Sequence, residues 1–143
     1  ALPCGRTAER NGKRMCRTGI NQQDISCTLR LGMKHSDRTF WGPGVAQLLH
    51  QVAACCSLRA AAQSMDMSYS KAWKIIHDAE QALGFPLVES ISGGVRGGGS
   101  RLTKQGEYIL SAYDKTVSAV QETAMEAFEQ NIRPVLNSAM ITI

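Results

Sequence analysis

The spacing of apolar residues divides the chain after residue 24 into short strands and longer helices. From Ile25 to Leu31 apolar and polar residues alternate, which is the period of a half-buried strand. A turn over residues 34–37 precedes a second apolar run that ends at Trp41. We therefore predict that an antiparallel hairpin opens the fold.

Three helical patterns follow the break at residues 42–44. The first has apolar residues every three or four positions, at Val45, Leu48, Leu49, Val52, Ala53 and Cys56. Ser57 is a suitable N-cap for a second helix that ends near Ser64, and Ser68 for a third that ends near Leu83. The three residues between these two helices predict a helix-turn-helix.

The third helix has an inward-facing apolar stripe and a defined stop. Its stripe consists of Ala72, Ile76, Ala79 and Leu83, and Gly84 ends the helix. Trp73 lies next to this stripe. We expect it to pack in the core or between helices rather than to stack on a base.

A glycine-rich hairpin follows the third helix. Residues 87–91 predict a strand, residues 101–102 a short return strand, and residues 93–99 contain five glycines around Arg96. We interpret this hairpin as the wing of a winged helix-turn-helix domain. The predicted fold class is mostly α with small β, an α+β fold.

The last predicted helix begins after a Thr103 cap and continues to about Asn131, before Arg133-Pro134. Its apolar seam alternates at spacings of three and four, at Leu110, Tyr113, Val117, Val120, Ala124 and Ala127. A helix of about 28 residues spans roughly 42 Å, more than the width of a small domain. The helix could fold back over its own domain, but we predict that it pairs with a second copy as a homodimer.

The charge distribution defines the remaining segments. Residues 1–38 contain eight Lys and Arg against three acids, and residues 39–143 contain eight against nine, within a net charge of +4. Residues 1–24 have no apolar period, so we expect a disordered basic extension. The winged domain then covers residues 25–103, the dimerisation helix 104–131 and a C-terminal tail 132–143.

Several functional classes lack the residues that they need. No apolar stretch approaches the roughly 20 residues of a membrane span, and no signal peptide is evident, so we expect a cytoplasmic protein without membrane partners. The three histidines lie far apart without acids or cysteines at ligand spacing, and the glycines match no nucleotide-binding loop. We therefore predict no metal, no cofactor and no enzymatic activity.

The five cysteines form no Cys-x-x-Cys pair, which favours reduced thiols over a disulfide framework. A redox-sensing role for Cys55 and Cys56 is an alternative. We expect both residues on the buried side or at the end of a helix, where cysteine usually serves as a small apolar residue.

Polar and cationic residues cluster where a winged helix meets DNA. Exposed lysines alone are ordinary, but here cations on the second helix, the third helix and the wing converge on one predicted face. The candidates for base contacts are Tyr69, Ser70 and Lys71. The candidates for phosphate contacts are Arg59, Ser68 and Lys74. Arg96 in the wing could enter a minor groove or neutralise the backbone, and Arg101 is a further candidate for DNA contact.

Residues 25–105 resemble the N-terminal DNA-binding domain of the ModE family of bacterial molybdate-responsive transcriptional regulators. The match lies in residues 40–44, 57–62, 67–73 and 92–103, above all in Ser-Tyr-x-x-Ala-Trp followed by Gly-Gly-x-x-Gly-Gly-Gly and Leu-Thr. The LysR regulators are similar over residues 83–89 and 102–106 but generally lack the glycine-rich wing. The resemblance implies a dimer bound to double-stranded DNA at a palindromic operator.

One feature of the family has no counterpart here. Full ModE proteins continue into molybdate-binding modules, and the residues after Asn131 could not form them. We therefore expect a stand-alone ModE-like regulator and identify no small-molecule effector. The alternative function is a winged-helix protein-interaction module that has lost DNA binding, consistent with the net charge of −1 over residues 39–143.

Overall fold

The computed structural model of the chain describes residues 21–94 and 97–142, with the backbone alone for residues 94, 97 and 139–142. Leu29–Val120 form one compact unit, and the residues that flank them form another. The strands are β1 Met33–His35, β2 Arg38–Trp41, β3 Val88–Gly94 and β4 Gly97–Leu102. The α-helices are α1 Pro43–Cys55, α2 Leu58–Ser64, α3 Tyr69–Leu83, α4 Lys104–Asn131 and α5 Arg133–Thr142. Two small antiparallel hairpins among helices confirm the predicted α+β, winged helix-turn-helix fold class.

The opening hairpin is present, but its first strand lies later in the chain than predicted. Pairing starts at the turn with His35 opposite Arg38 and ends with Met33 opposite Trp41. The prediction of a strand over residues 25–31 is wrong, since none of them is in a strand. The turn sets the register of a hairpin, and β2 has only four residues because α1 begins two residues later. No residues of β2 remain to pair with the earlier segment.

The core of the first unit is built from side chains of helices α1 to α4 and of the strands. Its largest fully buried side chains are Trp41, Leu48, Leu49, Val52 and Leu87. The predicted stripe of α3 is confirmed, with Ala72, Ile76 and Ala79 buried and Leu83 partly buried against the core. These residues anchor α3 and leave its opposite side exposed.

The predicted stripe of α1 fails at its C-terminal end. Ala53 and Cys56 are exposed, whereas Ala46 is buried. Helix α1 ends at Cys55, and Cys56 has a left-handed backbone with φ of 55°, so the helical spacing does not extend to it. Cys55 is exposed too. Both cysteines therefore lie at the end of the helix, as one of the two predicted placements has it, but they are exposed and do not serve as small buried apolar residues.

Three predicted helix caps are confirmed by hydrogen bonds of their hydroxyl groups. Ser57 Oγ accepts from Ala60 N at 3.1 Å, and Ser68 Oγ accepts from Lys71 N at 3.1 Å. The buried Thr103 accepts from the third backbone amide after it at 2.9 Å. Each cap satisfies an amide that the helix itself leaves unpaired. The starts of α2, α3 and α4 are thereby fixed by local sequence.

The wing packs against the C-terminal end of α1. Ser100 N donates a hydrogen bond to Cys56 O at 3.0 Å. At Gly99, an added Cβ would lie 2.3 Å from the same carbonyl oxygen, so this contact requires glycine. Strand β4 is therefore held against α1, on the same unit as the helix-turn-helix.

The N-terminal half of α4 contributes to the same core. Leu110 and Tyr113 are buried, and the Tyr113 ring lies 5.6 Å from that of Trp41 between centroids. The Tyr113 hydroxyl donates to Leu31 O at 2.7 Å. Burial, followed by the nearby Asp114 carboxylate, raises the pKa of Tyr113.

In the second unit, Arg133 connects the helices to the segment that precedes the hairpin. Its guanidinium lies over the Phe128 ring, donates to the carbonyls of Gln22 and Ile25, and pairs with Glu129 at 2.8 Å. This hydrogen bonding lowers the pKa of Glu129.

The ends of the described chain are more regular than predicted. Gln22–Asp24 form a 3₁₀ turn, and the remainder of the expected disordered extension, residues 1–20, lies outside the described residues. Helix α4 ends at Asn131 as predicted, but the predicted tail continues as helix α5. Pro134 lies in the first turn of α5, where its missing N–H leaves no helical hydrogen bond unmade.

Candidate nucleic-acid interface

Helices α2 and α3 form the predicted helix-turn-helix. The carbonyl of Ala62 accepts hydrogen bonds from both Met65 N and Met67 N, at 3.1 and 3.0 Å. Asp66 between them has a left-handed backbone, with φ of 54°. The buried residues Ala61 and Ala62 of α2 have small side chains, which allow α3 to pack closely against α2. This tight turn fixes the first residues of α3 relative to α2.

The N-terminal half of α3 is presented to solvent. The predicted contact residues here are all exposed, namely Ser68, Tyr69, Ser70, Lys71 and Lys74. Ala72 and Ile76 anchor the opposite side of the helix in the core. The structure therefore leaves these five predicted residues accessible to solvent around the start of α3, the helix end that helix-turn-helix proteins direct at base edges.

Arg59 joins this surface from α2. Its guanidinium carbon lies 4.6 Å from the centroid of the Tyr69 ring, at the start of α3. A cation held over an aromatic face gains about 0.5–1 kcal/mol at an exposed site. Arg59 is thereby held beside the first residue of α3, and its contact with phosphate stays a prediction.

Two of the predicted cations form ion pairs within the chain. Lys74 Nζ lies 2.9 Å from Asp78 Oδ2, and Arg101 Nε on β4 lies 2.7 Å from Glu89 Oε2. All four side chains are at least 45% exposed. Exposed pairs contribute at most about 1 kcal/mol, so both cations can exchange their partner for a phosphate at low cost. Arg96 lies outside the described residues.

Trp73, which we predict from the sequence to pack in the core or between helices, is a surface residue. It is 49% exposed, and its ring stacks on His77 at 4.6 Å between centroids with an interplanar angle of 11°. The helical rotation of about 100° per residue carries it away from the inward-facing Ala72. Its spacing of three residues from the exposed Ser70 was the signal that could have revealed this.

A groove separates α3 from the wing. It has a volume of about 150 Å³. On the helix side its walls include Tyr69, Trp73 and His77, and on the wing side Ser90 and Ser100. The groove is therefore lined by aromatic rings and by serines, and it includes Tyr69, one of the predicted base-contacting residues.

The predicted dimerisation seam has unequal exposure along α4. Leu110 and Tyr113 are buried in the core of their own unit, and Val117 packs against that core. Val120 and Ala124 are half-buried and Ala127 is exposed. Among the described residues, Ala127 is therefore the seam position whose side chain is exposed to a second copy.

In the described residues, no group of three or more His, Cys, Asp or Glu side chains is arranged to hold a metal ion. In the same part of the chain, no helix is long and apolar enough to cross a membrane.

Comparison with known families defines the class of this domain. Residues 45–107 match the family described as bacterial regulatory helix-turn-helix protein, lysR family. The matched range begins in α1, contains the whole helix-turn-helix and the wing, and ends in the first turn of α4. The chain thus contains a LysR-type helix-turn-helix domain.

Among curated proteins, the chain is a homologue of the ModE regulators, which confirms the resemblance found in the sequence. It is 31% identical over 122 residues to the DNA-binding transcriptional dual regulator ModE of Escherichia coli K12, covering 85% of this chain and 45% of that protein. It is 32% identical over 114 residues to the transcriptional regulator ModE of Yersinia pestis, covering 80% and 41%. It is 32% identical over 85 residues to the molybdenum-pterin-binding protein MopB of Rhodobacter capsulatus, covering 59% and 31%. The chain spans less than half the length of these relatives.

Proposed function

We propose that this chain is a DNA-binding transcriptional regulator that recognises its operator with α3 in the major groove. The observation that carries the proposal is the exposed polar and cationic N-terminal half of α3, held out from the core by a tight turn and a serine cap. The helix-turn-helix family match supports it, as does the similarity to the Escherichia coli protein, a DNA-binding transcriptional dual regulator.

The contact residues divide into two groups by their reach and chemistry. Tyr69, Ser70 and Lys71 occupy the first positions of α3, where side chains meet base edges. Arg59, Ser68, Lys74 and Arg101, with Arg96 from the wing, contact the phosphate backbone, which fixes position without reading sequence. The first group therefore determines which operator is bound, and the second how tightly.

We further propose that two copies bind a palindromic operator. The support is the apolar seam of α4, in which Val120 and Ala124 are half-buried and Ala127 is exposed among the described residues. A dimer with twofold symmetry places its two recognition helices on half-sites one helical turn apart, or a multiple of it, about 34–36 Å per turn.

The test is DNA binding by the full chain as a function of salt, with matched lysine and arginine variants. We expect Arg59→Gln to weaken binding to all sequences equally and to reduce the slope of log K against log salt by about 0.9, the contribution of one phosphate contact. We expect Lys71→Gln to reduce the preference for the operator over random duplex by about 1–3 kcal/mol, the value of one base contact.

Lys115→Gln, at an exposed position of α4, removes the same charge away from the proposed interface and serves as the control. If neither Arg59→Gln nor Lys71→Gln differs from this control, DNA is not bound through α2 and α3. Salt-independent binding, or none, would contradict the proposed function itself.

A protein-interaction module is the second candidate. The observation in its favour is the neutralisation of Lys74 and Arg101 by Asp78 and Glu89 within the chain. The same salt titration distinguishes the two functions, because a protein-interaction module is not expected to show salt-dependent affinity for duplex DNA.

A further inference from the structure

Trp73 lies within the exposed face of α3. Ser70, Trp73, Lys74 and His77 follow each other at i, i+3, i+4 and i+7, which places them on one face of a helix. The buried residues Ala72, Ile76 and Ala79 lie on the other side. Trp73 is therefore flanked on its own face by the polar residues of the proposed DNA surface.

The Trp73 ring is held in place before any partner binds. Its stack on His77 covers one face of the indole, and the wing strands form the far wall of the adjoining groove. Nevertheless about half of the side chain remains exposed. An aromatic ring that is already ordered loses little conformational entropy on contact, which favours its use in recognition.

The chemistry of the major groove offers one apolar group to such a ring. Thymine presents its C5 methyl group there, whereas the other base edges present hydrogen-bond donors and acceptors. Contact between the indole ring and a methyl group carries no cost of desolvating a polar group. Burying the methyl carbon contributes about 0.8 kcal/mol, or roughly four-fold in affinity.

We infer that Trp73 is a specificity-determining residue that contacts a thymine methyl group in each half-site. This inference rests on the proposed function, since it requires α3 to enter the major groove. It adds to that function an apolar contact which discriminates thymine from cytosine and uracil.

The test uses the full chain and a duplex that the wild-type chain has selected from random sequence. Each thymine is replaced in turn by deoxyuridine, which lacks only the C5 methyl group. We expect a loss of roughly four-fold in wild-type affinity at one or more thymines per half-site. We expect Trp73→Ala to bind the thymine and deoxyuridine duplexes equally, and Trp73→Phe to retain part of the discrimination.

Tyr108→Ala is the control, because Tyr108 is an exposed aromatic residue of α4, 69% accessible and outside the proposed interface. It should discriminate as the wild type does. Equal wild-type affinity for all deoxyuridine duplexes, or unchanged discrimination in Trp73→Ala, would overturn the inference while leaving DNA binding intact. If no duplex is selected at all, the proposed function fails and the inference fails with it.

Discussion

At the scale of single residues, Tyr113 connects the opening segment to α4. Its ring packs against Trp41, and its hydroxyl donates to Leu31 O at 2.7 Å. We predict that Tyr113→Phe keeps the packing, loses the hydrogen bond and lowers the free energy of unfolding by about 0.5–1.5 kcal/mol. Urea unfolding, monitored by circular dichroism, measures this change in the free energy of unfolding. An unchanged midpoint would mean that the hydroxyl contributes nothing.

The same residue predicts a pH dependence of stability. Burial raises the pKa of Tyr113 in the folded chain above its ordinary value of 10.0. The protonated form is thus favoured by folding, and this contribution is complete below pH 10 and is lost as the pH rises through the folded-state pKa. We expect the wild-type chain to lose more stability than Tyr113→Phe between pH 9 and 11. Parallel loss in both proteins would show that other groups are responsible.

At the scale of elements, the contact between the wing and α1 depends on one glycine. A Cβ at position 99 would approach Cys56 O to 2.3 Å, so Gly99→Ala must displace β4 or the end of α1. We predict a destabilisation of about 1–3 kcal/mol. Gly44→Ala in α1 is the matched control, because a Cβ there meets no atom within 4 Å and should leave stability unchanged or raise it by up to about 1 kcal/mol. Equal melting temperatures for the two variants would contradict the described wing packing.

The elements also show what the sequence can and cannot predict. The helices α1 to α4 follow from apolar spacing and from caps such as Ser68, because both signals act within a few residues. The opening strand does not, since its register depends on a turn and on where α1 begins. Trp73 was misplaced for a different reason: its helical spacing from Ser70 indicates the exposed face, whereas the prediction followed its position next to the stripe in sequence. Cys56 does not belong to the apolar stripe of α1 that its spacing predicts, because its backbone is left-handed and the helix has already ended.

At the scale of the whole molecule, the proposed dimer depends on the C-terminal part of the α4 seam. We predict that Ala127→Glu, which places a charge at an exposed seam position, weakens self-association and shifts sedimentation toward the monomer. Ala112→Glu makes the same change at an exposed position off the seam and should sediment as the wild type does. Identical behaviour of the two variants would remove α4 from the dimer interface.

Selection of bound duplexes from random DNA by the full wild-type chain tests the central claim most directly. The account predicts enrichment of two inverted half-sites whose centres lie one helical turn or a multiple of it apart. It also predicts that the enriched sequence loses its advantage when Lys71→Gln is used for the selection. Recovery of unenriched sequences by the wild-type chain would contradict sequence-specific DNA binding through α3.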